Sequence, residues 1–180
     1  MNYLSLDLEF NQNSGRIIQI GACIGNLSTG EYYSSFSQLV SIGSEPVSPY
    51  IEKLTGISTA DLHSDGIPLI DAYRKLLEYV RTCPDLETNP ITWGGGDSLE
   101  LFRQLGPDAK DWPFGRRWLD IKTIHQMVQI AEGRKKEAGL ANAMTRYRLK
   151  FVGRKHNAED DAINTLILAQ YLIRRLRHGR

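Results

Sequence analysis

One short stretch near the start of the chain restricts the available folds more than any other. Residues 4–10 (LSLDLEF) alternate apolar and polar side chains, which predicts a β-strand, because successive side chains of a strand point to opposite faces. Asp7 and Glu9 then lie on the same face, roughly 7 Å apart at about 3.3 Å per residue. Two ionised carboxylates at this spacing repel one another and resist burial unless a cation lies between them. The stretch is therefore either the wall of a cation site or an edge strand with a hydrated polar face.

The composition is that of an ordinary soluble globular protein. The chain has 180 residues, of which 41% are hydrophobic and 24% charged, and we expect one domain over residues 1–180. No run approaches the roughly 18 apolar residues of a membrane helix, and the N-terminus has no basic region followed by an apolar one. We therefore expect a cytoplasmic protein without a membrane partner, in which Cys23 and Cys83 are reduced.

Charge is divided unevenly along the chain. Residues 1–100 carry 5 Lys and Arg against 13 Asp and Glu, and residues 101–180 carry 17 against 8, which gives net charges of −8 and +9. Eight basic residues lie between positions 134 and 155, where Glu137 is the single acid: Arg134, Lys135, Lys136, Arg146, Arg148, Lys150, Arg154 and Lys155. One interpretation is an acidic part that holds cations and a basic segment that binds phosphates. The other is ordinary charge pairing across the domain.

Strand patterns dominate the first forty residues, and helix patterns become frequent later. Residues 16–25 and 31–40 predict two further strands, and the short links between these strands predict an antiparallel meander. Shorter strands are predicted at 91–93 and 117–121. Helices are predicted at 50–54, 71–81, 98–105 and 123–130, and from the N-cap Asn157 to about residue 176. The predicted fold class is therefore α/β, a mixed sheet flanked by α-helices.

Four acids of the chain are candidates for a cation site. Besides Asp7 and Glu9, Asp97 follows three glycines that let the backbone turn tightly, and Asp161 lies in the first turn of the last helix, on the edge of its apolar stripe. An acid that faces inward is stabilised by a cation. His156 precedes the same helix, where a loop imidazole can lie over a site that the acids fix in place.

These residues resemble the motifs of a known family, the DEDDh or DnaQ-like 3′-to-5′ exonucleases. The resemblance extends from residue 4 to about residue 172, in the family's order and spacing. It implies a ribonuclease-H-like fold, in which an antiparallel three-strand meander is joined by parallel strands and flanked by α-helices. The matching segments are Asp7-x-Glu9, Asp97, His156-Asn-Ala-Glu-Asp-Asp161-Ala and Leu54-Thr-Gly-Ile-Ser58.

The resemblance also implies a chemistry. In that family four carboxylates hold two divalent ions, Mg²⁺ or Mn²⁺, and a histidine is the general base that takes a proton from the attacking water. Two ions roughly 3.5 to 4 Å apart can activate the water and stabilise the leaving 3′-oxygen. The residues that match these roles are Asp7, Glu9, Asp97 and Asp161 as metal ligands and His156 as the base.

The same resemblance suggests residues that contact the substrate. Leu54 would be an apolar wedge against the terminal base, and the backbone around Phe10 and Asn11 would meet the terminal 3′-hydroxyl. Phe10 also offers a stacking face for a base. Simple core packing is the alternative for Leu54 and Phe10, and the Phe-Asn-Gln sequence after the acid pair departs from the Thr-Gly that is frequent in the family.

The function expected from the sequence is a metal-dependent 3′-to-5′ exonuclease that releases nucleoside 5′-monophosphates from single-stranded 3′ ends. RNA or short oligonucleotides are the favoured substrates. The alternatives are a DNA proofreading or repair exonuclease and a non-catalytic nucleic-acid-binding regulatory module on the same fold. No residue recognisably reads the 2′-hydroxyl, so rates on matched RNA and DNA strands must separate the first two. Members of the family are often dimers, and the resemblance therefore also allows a homodimer.

Overall fold

The fold is a five-stranded mixed sheet covered by helices, in a computed structural model that describes residues 1–12, 14–134 and 139–178. The order across the sheet is β3-β2-β1-β4-β5, with β1, β2 and β3 antiparallel and β1, β4 and β5 parallel. The predicted fold class is confirmed. Because β1 lies at the centre of the sheet, the edge-strand interpretation of its acids is wrong. The strands are β1 (Asn2–Phe10), β2 (Ile17–Asn26), β3 (Tyr32–Leu39), β4 (Ile91–Thr92) and β5 (Leu119–Asp120).

The helices of the described residues include two that the sequence patterns did not predict. The second and the sixth have only 6 and 7 residues, too few for a periodic apolar stripe. None of the helices is long and apolar enough to cross a membrane. In the basic segment that is predicted to bind phosphates, residues Lys135, Lys136 and Glu137 lie outside the described residues. The helices are α1 (Pro49–Thr55), α2 (Thr59–Ser64), α3 (Leu69–Arg81), α4 (Gly96–Leu105), α5 (Ile121–Ala131), α6 (Leu140–Arg146) and α7 (Ala158–His178), with a 3₁₀ helix (Gly106–Asp111) after α4.

The alternation in β1 divides its side chains between two environments. Its leucines at positions 4, 6 and 8 are buried in an apolar cluster with residues of α3 and α4. Its opposite face carries Ser5, Asp7 and Glu9 and lies beneath α7, where the Ser5 hydroxyl donates a 2.8 Å hydrogen bond to the Ala162 carbonyl. The polar face of β1 is thus covered by α7.

The start of α7 packs directly on β2 at Gly21. A Cβ atom at Gly21 would lie 2.0 Å from the carbonyl carbon of Ala158, so only glycine leaves room for the helix. The Ala158 N–H also donates to Gln19 Oε1 at 3.0 Å. In the antiparallel pair, Gly21 is opposite Asp7 and Gln19 is opposite Glu9. These contacts place the first turn of α7 over the two acids of β1.

Candidate active site

The structure brings together the acids and the histidine that the sequence singles out. Carboxylate oxygens of Glu9 and Asp161 and a ring nitrogen of His156 all lie within 4.8 Å of one another. Asp7 and Asp97 belong to the same neighbourhood, since the charge of Asp97 acts on both Asp7 and Glu9. Residues from β1, α4 and α7 therefore form one cluster of four carboxylates beside an imidazole.

Asp97 is held by the geometry of β4 and the turn that follows it. The turn passes through Gly94, whose φ of +104° is accessible only to glycine without strain. Asp97 then lies in the first turn of α4, which begins at Gly96. The hydroxyl of Thr92, the last residue of β4, donates a 2.9 Å hydrogen bond to Asp97 Oδ2. The short strand and the glycine turn thus fix the carboxylate at the carboxyl end of β4, next to β1.

Asp120 supports this turn and was not recognised in the sequence. Its Oδ1 accepts the Gly94 N–H at 3.0 Å and also the N–H groups of Lys122 and Thr123 at 2.9 and 3.2 Å. It therefore caps α5 and anchors the turn that carries Asp97. The signal for the cap was present, because an Asp directly precedes the apolar periodic stretch of α5. Its contact with Gly94 depends on the pairing of β4 with β5.

Asp161 and His156 are joined through the backbone at the start of α7. The predicted N-cap is confirmed, because Asn157 Oδ1 accepts the Asp160 N–H at 3.2 Å. The His156 N–H donates to Asp161 Oδ2 at 3.2 Å, while the His156 side chain is exposed. His156 has a φ of +60°, a left-handed conformation that is uncommon for a non-glycine residue. The backbone of this loop is thus tied to the acid, and the imidazole faces solvent next to it.

Two neighbouring acids of α7 have other partners. Glu159 accepts a hydrogen bond from the Ser35 hydroxyl of β3. Asp160 Oδ2 accepts the Arg154 N–H at 2.7 Å. Both contacts hold α7 and its preceding loop in place.

Burial raises the pKa of every carboxyl in the cluster, and repulsion by the other acids of the cluster adds to this effect at Asp7 and Glu9. Burial raises the pKa of Glu9 to about 8, and the charges of Asp161 and Asp97 add to the effect. The pKa of Asp7 is raised well above its usual range by burial, then by Asp97, Asp161 and Glu9. The pKa values of Asp97 and Asp161 are each raised to about 6, mainly by burial, against the opposing hydrogen bonds from Thr92 and from the His156 N–H.

In the described part of the chain none of the four carboxylates forms an ion pair with Lys or Arg, although the charge of Lys155 acts on Asp161 at longer range. Hard divalent cations prefer carboxylate oxygens and neutralise such clusters. Four carboxylates that destabilise one another as anions are therefore a donor set that fits Mg²⁺ or Mn²⁺.

At Asn11, where the sequence suggests a contact with the terminal 3′-hydroxyl, the polar groups form hydrogen bonds within the protein. Its side chain is buried, with the amide donating to Glu45 Oε1 at 2.6 Å and to the Pro46 carbonyl at 3.0 Å, and with Oδ1 accepting the Ser48 N–H at 3.0 Å. Its backbone N–H and carbonyl form hydrogen bonds within the turn after β1. Asn11 therefore positions the loop that leads into α1.

Phe10 and Leu54 remain half-buried at the borders of apolar clusters. Phe10 packs against the cluster beneath the sheet, and Leu54 packs against the small cluster around Ile51 and Ile57. Gly56 ends α1 with a φ of +74°, and the Arg154 guanidinium lies where its Cβ would be. The Leu54 region thus borders the loop that carries His156, and part of each apolar side chain stays accessible.

Comparisons with known proteins extend over nearly the whole chain. A family model described as Exonuclease (RNase_T) matches residues 4–169. ERI1 exoribonuclease 2 of Mus musculus is 26% identical over 187 residues, which cover 91% of this chain and 26% of that protein. Cell-death related nuclease 4 (CRN-4) has a similar fold, with a TM-score of 0.82 at 18% identity over 99% of this chain and 64% of that chain. The nuclease domain of 3′hExo, a DEDDh family member bound to rAMP, has a TM-score of 0.72 at 17% identity over 99% of this chain and 92% of that chain.

Proposed function

Because this chain belongs to the Exonuclease family, matched over residues 4–169, we propose that it is a metal-dependent exonuclease that removes nucleoside 5′-monophosphates from single-stranded 3′ ends of RNA. The observation that carries the proposal is the convergence of Glu9, Asp161 and His156 within 4.8 Å, beside Asp7 and Asp97. RNA is supported by the name of the mouse relative, an exoribonuclease, and by the rAMP bound to 3′hExo. The chain spans 26% of the length of the mouse relative.

In this proposal the four carboxylates hold two divalent ions, Mg²⁺ or Mn²⁺. When bound, such ions supply Lewis-acid activation of a water and stabilisation of a leaving oxygen. The carboxylates bind cations only when they are ionised, and each has a raised pKa. Alkaline conditions therefore favour the loaded site.

His156 is the proposed general base. A neutral imidazole nitrogen can accept a proton, which makes histidine a frequent general base near neutral pH. The exposed ring is accessible to water, and the hydrogen bond from its backbone N–H to Asp161 keeps it next to the carboxylates. The imidazole takes the proton of the attacking water and returns it to solvent.

The test is degradation of a single-stranded RNA labelled at its 5′ end, in parallel with the same sequence as DNA. With Mg²⁺ or Mn²⁺ we expect successive shortening from the 3′ end and release of nucleoside 5′-monophosphates, both abolished by EDTA. Asp7→Asn is expected to remove nearly all activity without unfolding the protein, since it relieves repulsion in the cluster. Asp65→Asn, at an exposed acid after α2, is the matched control and retains activity.

Either of two results would contradict the proposal and favour a different function. A strand left intact by the wild-type protein with both metals between about pH 6 and 9 would favour a nucleic-acid-binding module. Faster degradation of DNA than of RNA would favour a DNA exonuclease.

A further inference from the structure

A second charged site lies near the opposite end of α7. Four arginines and one acid, with Tyr147 and Tyr171 in the wall, line a pocket of about 230 Å³. We name it the arginine pocket; its charged residues are Glu132, Arg134, Arg146, Arg148 and Arg175. Arg175 and Asp161 are both on α7, fourteen residues or nearly four helical turns apart, hence on nearly the same side of the helix. At 1.5 Å per residue, their separation along the helix axis is roughly 21 Å.

Among the described residues that line the arginine pocket, guanidinium groups outnumber carboxylates. The Glu132 carboxylate is shared by three guanidinium groups, with Arg134 at 3.5 Å, Arg146 at 4.0 Å and Arg175 also paired with it. Arg148 is a fourth guanidinium, and it forms no ion pair with any residue that the structure describes. Side chains of Arg146 and Arg175 are only 13% and 28% exposed, so the cations are held in place by their surroundings. Guanidinium groups held in this way suit a phosphate, which they bind through two parallel hydrogen bonds.

The backbone of Arg148 provides a second observation. Its φ is +57°, a conformation that favours glycine, and its N–H donates to the Thr145 carbonyl at 3.0 Å as α6 ends. Glycine is the usual residue at such a helix end, yet here the position carries an arginine whose side chain lines the pocket. A strained residue of this kind points to a role for its side chain.

The chain that follows Arg148 leads from the pocket to the acids. Asn164 holds Val152 against α7 through hydrogen bonds of 2.9 and 2.8 Å to its N–H and carbonyl. Further along, the Arg154 N–H donates to Asp160, and the His156 N–H donates to Asp161. The segment from 148 to 156 therefore runs beside α7 in the opposite direction, from the arginine pocket to the carboxylate cluster.

This segment presents its basic side chains to solvent. Leu149 and Phe151 pack against the apolar cluster under α7, so the residues between and beside them face outward. The exposed basic residues of the segment, which we name the basic track, are Arg148, Lys150, Arg154 and Lys155. They lie along the segment between the arginine pocket and the carboxylate cluster, where the guanidinium of Arg154 also packs against Gly56.

We infer that the arginine pocket and the basic track bind the phosphodiester backbone of the strand upstream of the end being removed. The inference rests on the proposed function and adds to it a preference for strands long enough to reach the pocket. A stacked single strand advances about 3.4 Å per nucleotide, so roughly 21 Å corresponds to about six nucleotides. Shorter strands contact the acids and the near end of the track only.

Binding without turnover tests this inference. The probe is single-stranded RNA of about 4, 8 and 12 nucleotides, labelled with fluorescein at the 5′ end and titrated with the full chain in EDTA, with fluorescence anisotropy as the readout. We expect tighter binding of the two longer strands than of the shortest. Arg148→Gly removes the guanidinium and suits the positive φ, so its Tm is expected to be unchanged or higher. Its Kd for the longest strand is expected to rise about fivefold, with a slope of log Kd against log salt that is smaller by about 0.7.

Arg74→Ala is the matched control, because Arg74 is an exposed arginine on α3, across the sheet from α7. It is expected to bind all three strands as the wild type does. Equal affinity of the wild type for the shortest and longest strands would overturn the inference, as would wild-type binding by Arg148→Gly. Length-dependent binding that Arg148→Gly weakens, in a protein that degrades no strand with Mg²⁺, would support the inference and overturn the proposed function instead.

Discussion

His156 combines a constrained backbone with an exposed imidazole, which suggests a specific substitution. Asn tolerates a φ of +60° better than most residues and cannot serve as the base. We expect His156→Asn to keep its Tm and to lower kcat about a hundredfold or more. The measurement is the single-turnover rate at saturating Mg²⁺. His63→Asn, at an exposed histidine of α2, is the control, and a wild-type rate for His156→Asn would exclude it as the base.

Thr92 offers a way to change Asp97 without removing it. Burial raises the pKa of Asp97 and the hydrogen bond from the buried Thr92 hydroxyl lowers it, and the resulting pKa is about 6. Thr92→Val keeps the side-chain shape, so the pKa of Asp97 is expected to rise and less of the carboxylate to be ionised near pH 6. The Mg²⁺ concentration for half-maximal activity is then expected to increase more at pH 6 than at pH 8.

The loss of one hydrogen bond in Thr92→Val is expected to lower the free energy of unfolding by about 1 kcal/mol. Thr82→Val, which removes a hydroxyl bonded to the Tyr79 carbonyl after α3, is the control and leaves the Mg²⁺ requirement unchanged. An unchanged Mg²⁺ requirement of Thr92→Val at pH 6 would contradict the role given to Thr92.

The candidate catalytic side chains could be predicted from the sequence, but the residues that hold them in place could not. Asp7, Glu9, Asp97, Asp161 and His156 could be singled out because their residue types and chain order resemble known motifs. Their supporting contacts join separate elements, as when Asp120 of β5 accepts the Gly94 N–H or Thr92 donates to Asp97. Such contacts depend on strand order and register, which a single sequence does not specify.

The contact between β2 and α7 determines where Asp161 lies. Gly21→Ala would place a Cβ 2.0 Å from the Ala158 carbonyl carbon, so the start of α7 must move away from β2. Overpacking of this kind typically lowers the free energy of unfolding by about 1 to 3 kcal/mol. Because the displaced turn carries Asp161, we expect the specific activity of the folded protein to fall much further than its stability.

The measurement for Gly21→Ala is specific activity well below its Tm, beside that of Leu76→Ala. Leu76 is buried in α3 on the other side of the sheet, and its truncation lowers stability by about 2 to 5 kcal/mol without touching α7. We expect Leu76→Ala to keep its specific activity. Equal specific activities for the two variants would show that the contact at Gly21 does not position the site.

Element length limited which parts of the fold could be predicted, although α1, with seven residues, was also predicted. The three long strands and the helices α3, α5 and α7 have enough residues for their periodicity to be recognised, and they were predicted within a few residues. The helices α2 and α6 were not, and the strand predicted at 117–121 pairs only at Leu119 and Asp120, opposite the two residues of β4. Short elements form because neighbouring elements hold them, and their own sequence contains little signal.

The division of charge along the chain becomes a division in space. The carboxylate cluster lies at the start of α7, and the arginine pocket lies near its opposite end. The proposed cation site and the proposed phosphate site are therefore separate, and the basic track lies between them. Ordinary pairing also occurs, as at Arg103 and Glu100, but that pair lies within α4.

The metal-free protein is expected to lose stability as the pH rises from about 5 to 8, because its site carboxyls have raised pKa values. The pKa of Glu9 is about 8 and those of Asp97 and Asp161 are about 6, whereas unfolded chains titrate these groups near pH 4. Between these limits the folded protein binds more protons than the unfolded chain, so the free energy of unfolding falls as pH increases. The pKa values of Asp61 and Glu100 are lowered, and their contribution changes only at more acidic pH.

Divalent ions are expected to reverse this loss, because they bind the same oxygens that protons occupy at low pH. Scanning calorimetry with EDTA or with Mg²⁺ provides the measurement, and Mg²⁺ is expected to raise Tm more at pH 8 than at pH 5.5. Glu9→Gln removes the group whose pKa is about 8, so it is expected to flatten the pH dependence in EDTA and to reduce the Mg²⁺ effect. A metal-free Tm that increases from pH 5.5 to 8, or an equal response to Mg²⁺ in the wild type and Glu9→Gln, would mean that the four carboxylates do not form a cation site.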